Sequence, residues 1–216
     1  MKNLDEILER IKKVHIGVEV KLIAVSKNVT TKEVLELFNE GQIDFGENRV
    51  QELKNKQQIL AEILPENLIK WHFIGRLQSN KINQLISLRP TLWQSCESLK
   101  AALEVDKRLD YELECLLQIN SAEEESKQGV EAKMAVETFL SIKESCKFLR
   151  PAGVMSIGAH VDDIKSIQKS FEITRKIYEE LEPHGAKICS MGMSGDFELA
   201  IKCGSNMVRL GSVLYK

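Results

Sequence analysis

The sequence predicts a closed (β/α)8 TIM barrel, an α/β fold, with one additional N-terminal helix. Eight short runs rich in Val, Ile, Leu or aromatic residues recur along the chain, and helix-period stretches separate them. Strands alternating with helices imply parallel pairing through crossovers, and eight such units suit a chain of 216 residues. No Pro-, Gly- or Ser-rich linker divides the chain, so residues 1–216 read as a single domain. An open doubly wound sheet is the rival arrangement of the same alternation.

The opening segment places Leu4, Ile7, Leu8, Ile11 and Val14 at helical spacing before any strand-like run, which makes it the added helix. Strands are expected at 21–27, 43–47, 71–75, 91–96, 114–120, 149–158, 187–194 and 207–212. Helices fall between them at 32–39, 50–64, 77–88, 99–109, 130–146, 164–181 and 197–203. Gly204 is placed to stop the last one as a C-cap. The polar stretch 121–129, with Glu123, Glu124 and Glu125, reads as a solvated loop after the fifth strand, because its spacing is not that of a carboxylate metal site.

Charge is nearly balanced, 30 Lys plus Arg against 32 Asp plus Glu, so no strong field draws nucleic acid or an anionic membrane. The basic residue in Gln78-Ser79-Asn80-Lys81 lacks aromatic interleaving and adds no nucleic-acid signal. With 43% hydrophobic and 29% charged residues the composition is globular, and 6% aromatics predict an aliphatic core. Asp5 and Glu6 stand where an export signal carries positive charge, and the apolar runs fall far short of the roughly 18 residues of a membrane span. Cys96, Cys115, Cys146, Cys189 and Cys203 are odd in number and never form a C-x-x-C pair, which signals neither disulfides nor zinc. A reducing cytoplasm is the expected location.

A barrel of this type carries its chemistry at the C-terminal strand ends, with phosphate held after strands seven and eight. Lys27 ends the first strand, so its amine is expected to reach into the mouth, and partly buried amines beside a cation form Schiff bases. Ser194 is placed to cap a helix beginning near Gly195, whose missing side chain admits an anion to unpaired N–H groups. Gly211 and Ser212 offer a second set of donors on the next loop. Arg209 presents a charged fork to a ring nitrogen or a carboxylate, or else forms a structural ion pair. Asn48, His72 and Ser190 line the mouth or satisfy buried polar groups; for His72 the second role is favoured, since no His or Cys is placed to share a metal.

Together these residues form a pattern: Ala24-Val25-Ser26-Lys27, Phe45-Gly46-Glu47-Asn48 with Val50-Gln51-Glu52, Trp71-His72-Phe73-Ile74-Gly75 with Leu77-Gln78-Ser79-Asn80-Lys81, Ser190-Met191-Gly192-Met193-Ser194, and Val208-Arg209-Leu210-Gly211. Over nearly the whole chain it resembles the pyridoxal phosphate homeostasis protein family, single-barrel relatives of the N-terminal domain of alanine racemase. The resemblance implies pyridoxal 5'-phosphate (PLP) as cofactor, with Lys27 matching the lysine that forms the Schiff base. It implies Arg209 facing the pyridine nitrogen, and Ser194, Gly211 and Ser212 holding the phosphate. Asn48 and Ser190 fall within motifs near the cofactor. The chain departs from the family pattern at Arg76, where Pro is common, at Asn28-Val29, at Gly195, where an acid is common, and at Ser212, where Thr is common. None removes a required group, though Arg76 is expected to change its loop or a partner surface.

An arginine at the pyridine nitrogen does not readily supply a proton, which weakens the ring as an electron sink. A racemase also needs a second base, which alanine racemases take as a tyrosine from a further β domain of a partner subunit. The chain ends four residues beyond Ser212, and that domain is expected to be absent. Tyr111 precedes strand five at the wrong face, Tyr178 is mid-helix and Tyr215 is terminal. The expectation is therefore a monomeric, cytoplasmic, non-enzymatic PLP-binding protein that buffers PLP or delivers it to PLP-dependent apo-enzymes, without metal, nucleic-acid or membrane partners. The alternatives are a weak PLP-dependent amino-acid racemase and a regulatory interaction protein with PLP as ligand.

Overall fold

The computed structural model describes residues 2–14, 17–65, 68–121, 128–158 and 163–215. Its strands are β1 (Lys21–Val25), β2 (Asp44–Glu47), β3 (Lys70–Phe73), β4 (Leu92–Cys96), β5 (Leu113–Asn120), β6 (Leu149–Ser156), β7 (Ile188–Ser190) and β8 (Met207–Leu210). Neighbours in the chain pair in parallel from β1 to β8, and β8 returns to β1 with Ile23 opposite Arg209, which closes the barrel. The open-sheet rival is thereby excluded.

The helices are α1 (Lys2–Val14), α2 (Thr31–Asn39), α3 (Val50–Ala61), α4 (Ile82–Ser87), α5 (Leu99–Asp106), α6 (Ala135–Ser145), α7 (Ile164–Leu181) and α8 (Phe197–Lys202). Their starts are chemically marked. Thr30 and Glu33 form a reciprocal capping box on α2, Ser98 accepts from Ala101 N–H on α5, and Asp163 accepts from Lys165 and Ser166 N–H on α7. Gly204, at φ +94°, ends α8 with its N–H on the Ile201 carbonyl, as its placement predicts.

Several boundaries differ from the sequence expectation. The seventh strand stops at Ser190 because Gly192 adopts φ +98° and turns the chain out of the sheet. The stretch expected as one helix over 130–146 starts as a two-residue strand, Val130–Glu131, which pairs with Ile119 and Asn120 beyond the last residue of β4. The helix over 77–88 shortens to a 3-10 turn, Ser79–Lys81, followed by α4. The acidic residues Glu123 to Glu125 lie outside the described residues.

Strand alternation creates two apolar regions. Ile23, Leu92, Leu116, Ala152, Met155 and Met207 fill the barrel interior, and a larger cluster packs the outer strand faces against the helices. The core is mainly aliphatic, as expected, and the scarce aromatics are set into it: Trp93, Phe45, Phe73, Phe139, Phe171 and Phe197 are among its largest buried side chains. Leu4, Ile7 and Ile11 bury one face of α1, while Leu8 stays 44% exposed. Arg10 of α1 lies over the Phe197 ring and pairs with Glu198 at 3.0 Å, fixing α1 to the start of α8. All five cysteines are free thiols. No described helix is long and apolar enough to cross a membrane.

Asp106 ties the end of α5 to the start of β6 by accepting N–H bonds from Lys147 (3.0 Å), Phe148 (2.7 Å) and Leu149 (2.8 Å). Burial raises its pKa, but the three amide donors more than offset this and leave the carboxyl below its ordinary value. A depressed folded-state pKa adds stability that is present above the unfolded value of about 3.9 and lost as pH falls through the folded value. Asp106→Asn should therefore cost about 1–2 kcal/mol at pH 7. Urea titrations of both proteins from pH 7 to 3 should show the difference shrinking at the acid end.

Candidate functional site at the barrel mouth

The C-terminal ends of β1, β7 and β8 are adjacent, and most of the sequence-predicted site residues gather there. Lys27 follows β1 in a turn closed by the Val29 N–H on the Ser26 carbonyl at 3.2 Å. Asn28 takes φ +67° in that turn, a left-handed conformation that asparagine tolerates better than most residues, so this departure from the family pattern suits its backbone. Lys27 itself is exposed, not partly buried as expected.

What holds this turn is a buried ion pair that the sequence reading missed. Lys56 of α3 bonds both Glu47 Oε1 and, at 2.7 Å, the Ser26 carbonyl. Ser26 Oγ donates to the same Glu47 oxygen at 2.8 Å. Glu47 is 0% and Lys56 4–6% exposed, so each charge depends on the other for its neutralisation. The pair fixes the peptide from which Lys27 projects.

The expected capping role of Ser194 is not what the structure holds. The chain first makes a tight turn in which Asp196 Oδ1 accepts the Met193 N–H at 2.6 Å, and α8 begins only at Phe197. Ser194 Oγ instead accepts the Gly211 N–H at 3.2 Å, joining the loops after β7 and β8. That bond engages one of the two donors expected of the second loop. Among the described residues, the N–H groups of Gly195 and Ser212 donate to no main-chain acceptor, and both residues are exposed at the mouth. Gly211 lies against β1: a Cβ there would stand 3.4 Å from the Val25 carbonyl, two residues before Lys27.

Arg209 lies two residues below Gly211, inside the barrel and only 5% exposed. It donates to Ser190 Oγ at 2.6 Å and to the Ser156 carbonyl at 2.7 Å. No carboxylate among the described residues forms an ion pair with it. Burial pushes its pKa down to about 10, partly opposed by the field of Asp196, so it remains a cation at neutral pH. Ser190 is fully buried beneath it, donating onward to Gln94 Oε1 at 2.8 Å.

Asn48 stands one strand away, at the end of β2, half-buried and apart from the β1–β7–β8 group. Its main chain packs so closely on Gly75 that a Cβ there would come 2.0 Å from the Asn48 carbonyl oxygen. His72 satisfies a buried polar group, bonding Asp44 Oδ1 at 2.9 Å, and burial lowers its pKa despite that carboxylate. Arg76 pairs at 3.8 Å with Glu97, linking the loops after β3 and β4 through an exposed contact of little energy. Tyr111 bonds the Ile86 carbonyl at 3.0 Å ahead of β5, at the opposite end of the barrel from Lys27. No cluster of potential metal ligands occurs among the described residues.

Closure in strict chain order, with Lys27, Arg209 and the loops after β7 and β8 together at the C-terminal strand ends, defines a (β/α)8 barrel with a polar mouth. The family described as alanine racemase, N-terminal domain, matches residues 1–216. The chain belongs to that family, among the pyridoxal phosphate homeostasis proteins. Similar curated proteins of that name come from Helicobacter pylori strain J99, 48% identical over 99% of this chain and 96% of the relative, and from Vibrio alginolyticus, 37% identical over 91% and 85%. Among solved structures, PipY of Synechococcus elongatus with PLP bound superposes with a TM-score of 0.82 at 28% identity, covering 96% of this chain and 99% of that one. Alanine racemase of Clostridium difficile, at 18% identity and a TM-score of 0.74, covers 100% of this chain and 56% of its own, a likeness of fold.

Proposed function

We propose that this protein binds PLP in the barrel mouth, holds it reversibly as a Schiff base on Lys27, and buffers it or delivers it to apo-enzymes without turning over a substrate. The observation that carries this reading is Arg209: a buried guanidinium with no ion-pair partner among the described residues, beneath loops whose N–H groups suit an anion. PLP has three handles, and the mouth offers a group for each. Arg209 meets the ring nitrogen, Ser194 Oγ with the Gly195 and Ser212 N–H groups meets the phosphate while the Gly211 N–H holds Ser194 in place, and Lys27 meets the aldehyde. The names of the curated relatives and the PLP bound to PipY support the same ligand.

When bound, PLP supplies an aldehyde that condenses reversibly with amines. Lys27 Nζ would supply that amine, with one water released on condensation and taken up again on hydrolysis. The exposure of Lys27 keeps that exchange open to solvent, which suits a carrier. Arg209 presents N–H donors and holds its proton near neutrality, which disfavours the ring protonation that carbanion chemistry uses.

The test is an absorbance titration of the purified protein with PLP, followed by borohydride reduction and peptide mass mapping. A visible band and a reduced adduct on Lys27 are expected. No band, or adducts scattered over surface lysines, would overturn the reading in favour of an interaction protein. Solvent-hydrogen exchange at an amino-acid α-carbon, lost in Lys27→Ala, would overturn the non-enzymatic part in favour of a racemase.

A further inference from the structure

A file of buried polar side chains crosses the barrel interior from the mouth to its opposite end. Arg209 Nη1–H donates to Ser190 Oγ at 2.6 Å, and the Ser190 hydroxyl donates to Gln94 Oε1 at 2.8 Å. The Gln94 amide donates to His72 Nδ1 at 3.1 Å, and His72 Nε2–H donates to Asp44 Oδ1 at 2.9 Å. None of the five side chains is more than about 10% exposed, and they come from five strands: β8, β7, β4, β3 and β2.

The ends of the file fix its direction. A guanidinium has no acceptor and an ionised carboxylate has no donor, so each intermediate group has one satisfactory orientation. The Ser190 hydroxyl, the Gln94 amide and the Nε2–H tautomer of His72 all follow from the two ends. Every donor points from the cation towards the anion. Asp44 is held ionised: burial raises its pKa, and the His72 bond with the fields of Lys21 and Lys70 more than offsets that. Lys21 Nζ stands 3.8 Å from it.

Barrel interiors are ordinarily filled by branched apolar residues, and five buried polar side chains add little stability over such a filling. An aligned, fully bonded file between opposite charges does one thing an apolar filling cannot, which is to hold the guanidinium at its end in one orientation. We propose that Asp44, His72, Gln94 and Ser190 are positioning residues for Arg209, fixing the direction and donor strength of the face it turns to the pyridine nitrogen. This rests on the cofactor reading of Arg209.

Two variants test it. Gln94→Leu breaks the file in the middle at similar volume, and Asp44→Asn keeps an acceptor for His72 while removing the charge. The PLP dissociation constant is expected to rise about tenfold in Gln94→Leu and about threefold in Asp44→Asn, each with a shifted visible absorption maximum. Melting of the PLP-free variants identifies those that fold, and 15N NMR of the PLP-free wild type should report the Nε2–H tautomer of His72. Folded variants with dissociation constants within twofold of wild type and an unmoved maximum would overturn the inference; Asp44→Asn alone suffices for this if Gln94→Leu does not fold. The Nδ1–H tautomer would overturn it independently. A wild type that forms no adduct on Lys27 would overturn the cofactor reading instead, and this inference with it.

Discussion

Lys27→Ala is expected to eliminate the borohydride-fixable adduct and to weaken PLP retention by about a hundredfold, equivalent to about 2.7 kcal/mol. The variant should remain folded. Lys27 is exposed, and substitutions at such positions ordinarily change stability by within about 0.5 kcal/mol. What remains after the substitution is noncovalent binding by Arg209 and the loops after β7 and β8. A retention assay by gel filtration, with the melting temperature measured in parallel, separates loss of the covalent bond from loss of the fold. Undiminished retention would place the aldehyde on another lysine.

The second large effect lies directly behind Lys27. Lys56→Met leaves the Glu47 carboxylate buried without its cation, and removing one partner of a buried pair costs about 3–5 kcal/mol. For a chain of this size that is a fall of about 6–20 °C in melting temperature. The double variant Lys56→Met with Glu47→Gln should recover part of the loss, because it removes the uncompensated charge as well. In both variants the Ser26 carbonyl loses its ammonium donor, so PLP binding should weaken even where stability returns. Equal stability of the single and double variants in chemical denaturation would count against the ion pair as the source of the effect.

The order of elements was legible because alternating period-2 and helical patterns force parallel crossovers, and only one closed arrangement accepts eight of them. The neighbouring placement of Lys27, Arg209 and Gly211 followed from strand number alone. Ser194 was misread because a serine just before an apolar helical run looks like a cap; the run gave no sign that the chain would turn once more and engage Asp196 first. Gln94 and Asp44 left a trace in the sequence, a polar residue at an inward position of a buried strand. Lys56 left none. On a helix rich in Gln, Asn and Lys it reads as solvated, and only the path of β2 and the depth of Glu47 show that it is buried.

The pairing of β1 with β8 also governs when binding becomes possible during synthesis. Lys27 leaves the ribosome with the first strand, whereas the loop after β7, Arg209 and the loop after β8 arrive last. At about 5–20 residues per second, the interval between them is on the order of ten to forty seconds. Throughout it the nascent chain carries Lys27 without the groups proposed to bring an aldehyde to it. Ligand capture is therefore a report of completed closure, and a chain that stalls before its eighth strand is translated should emerge empty.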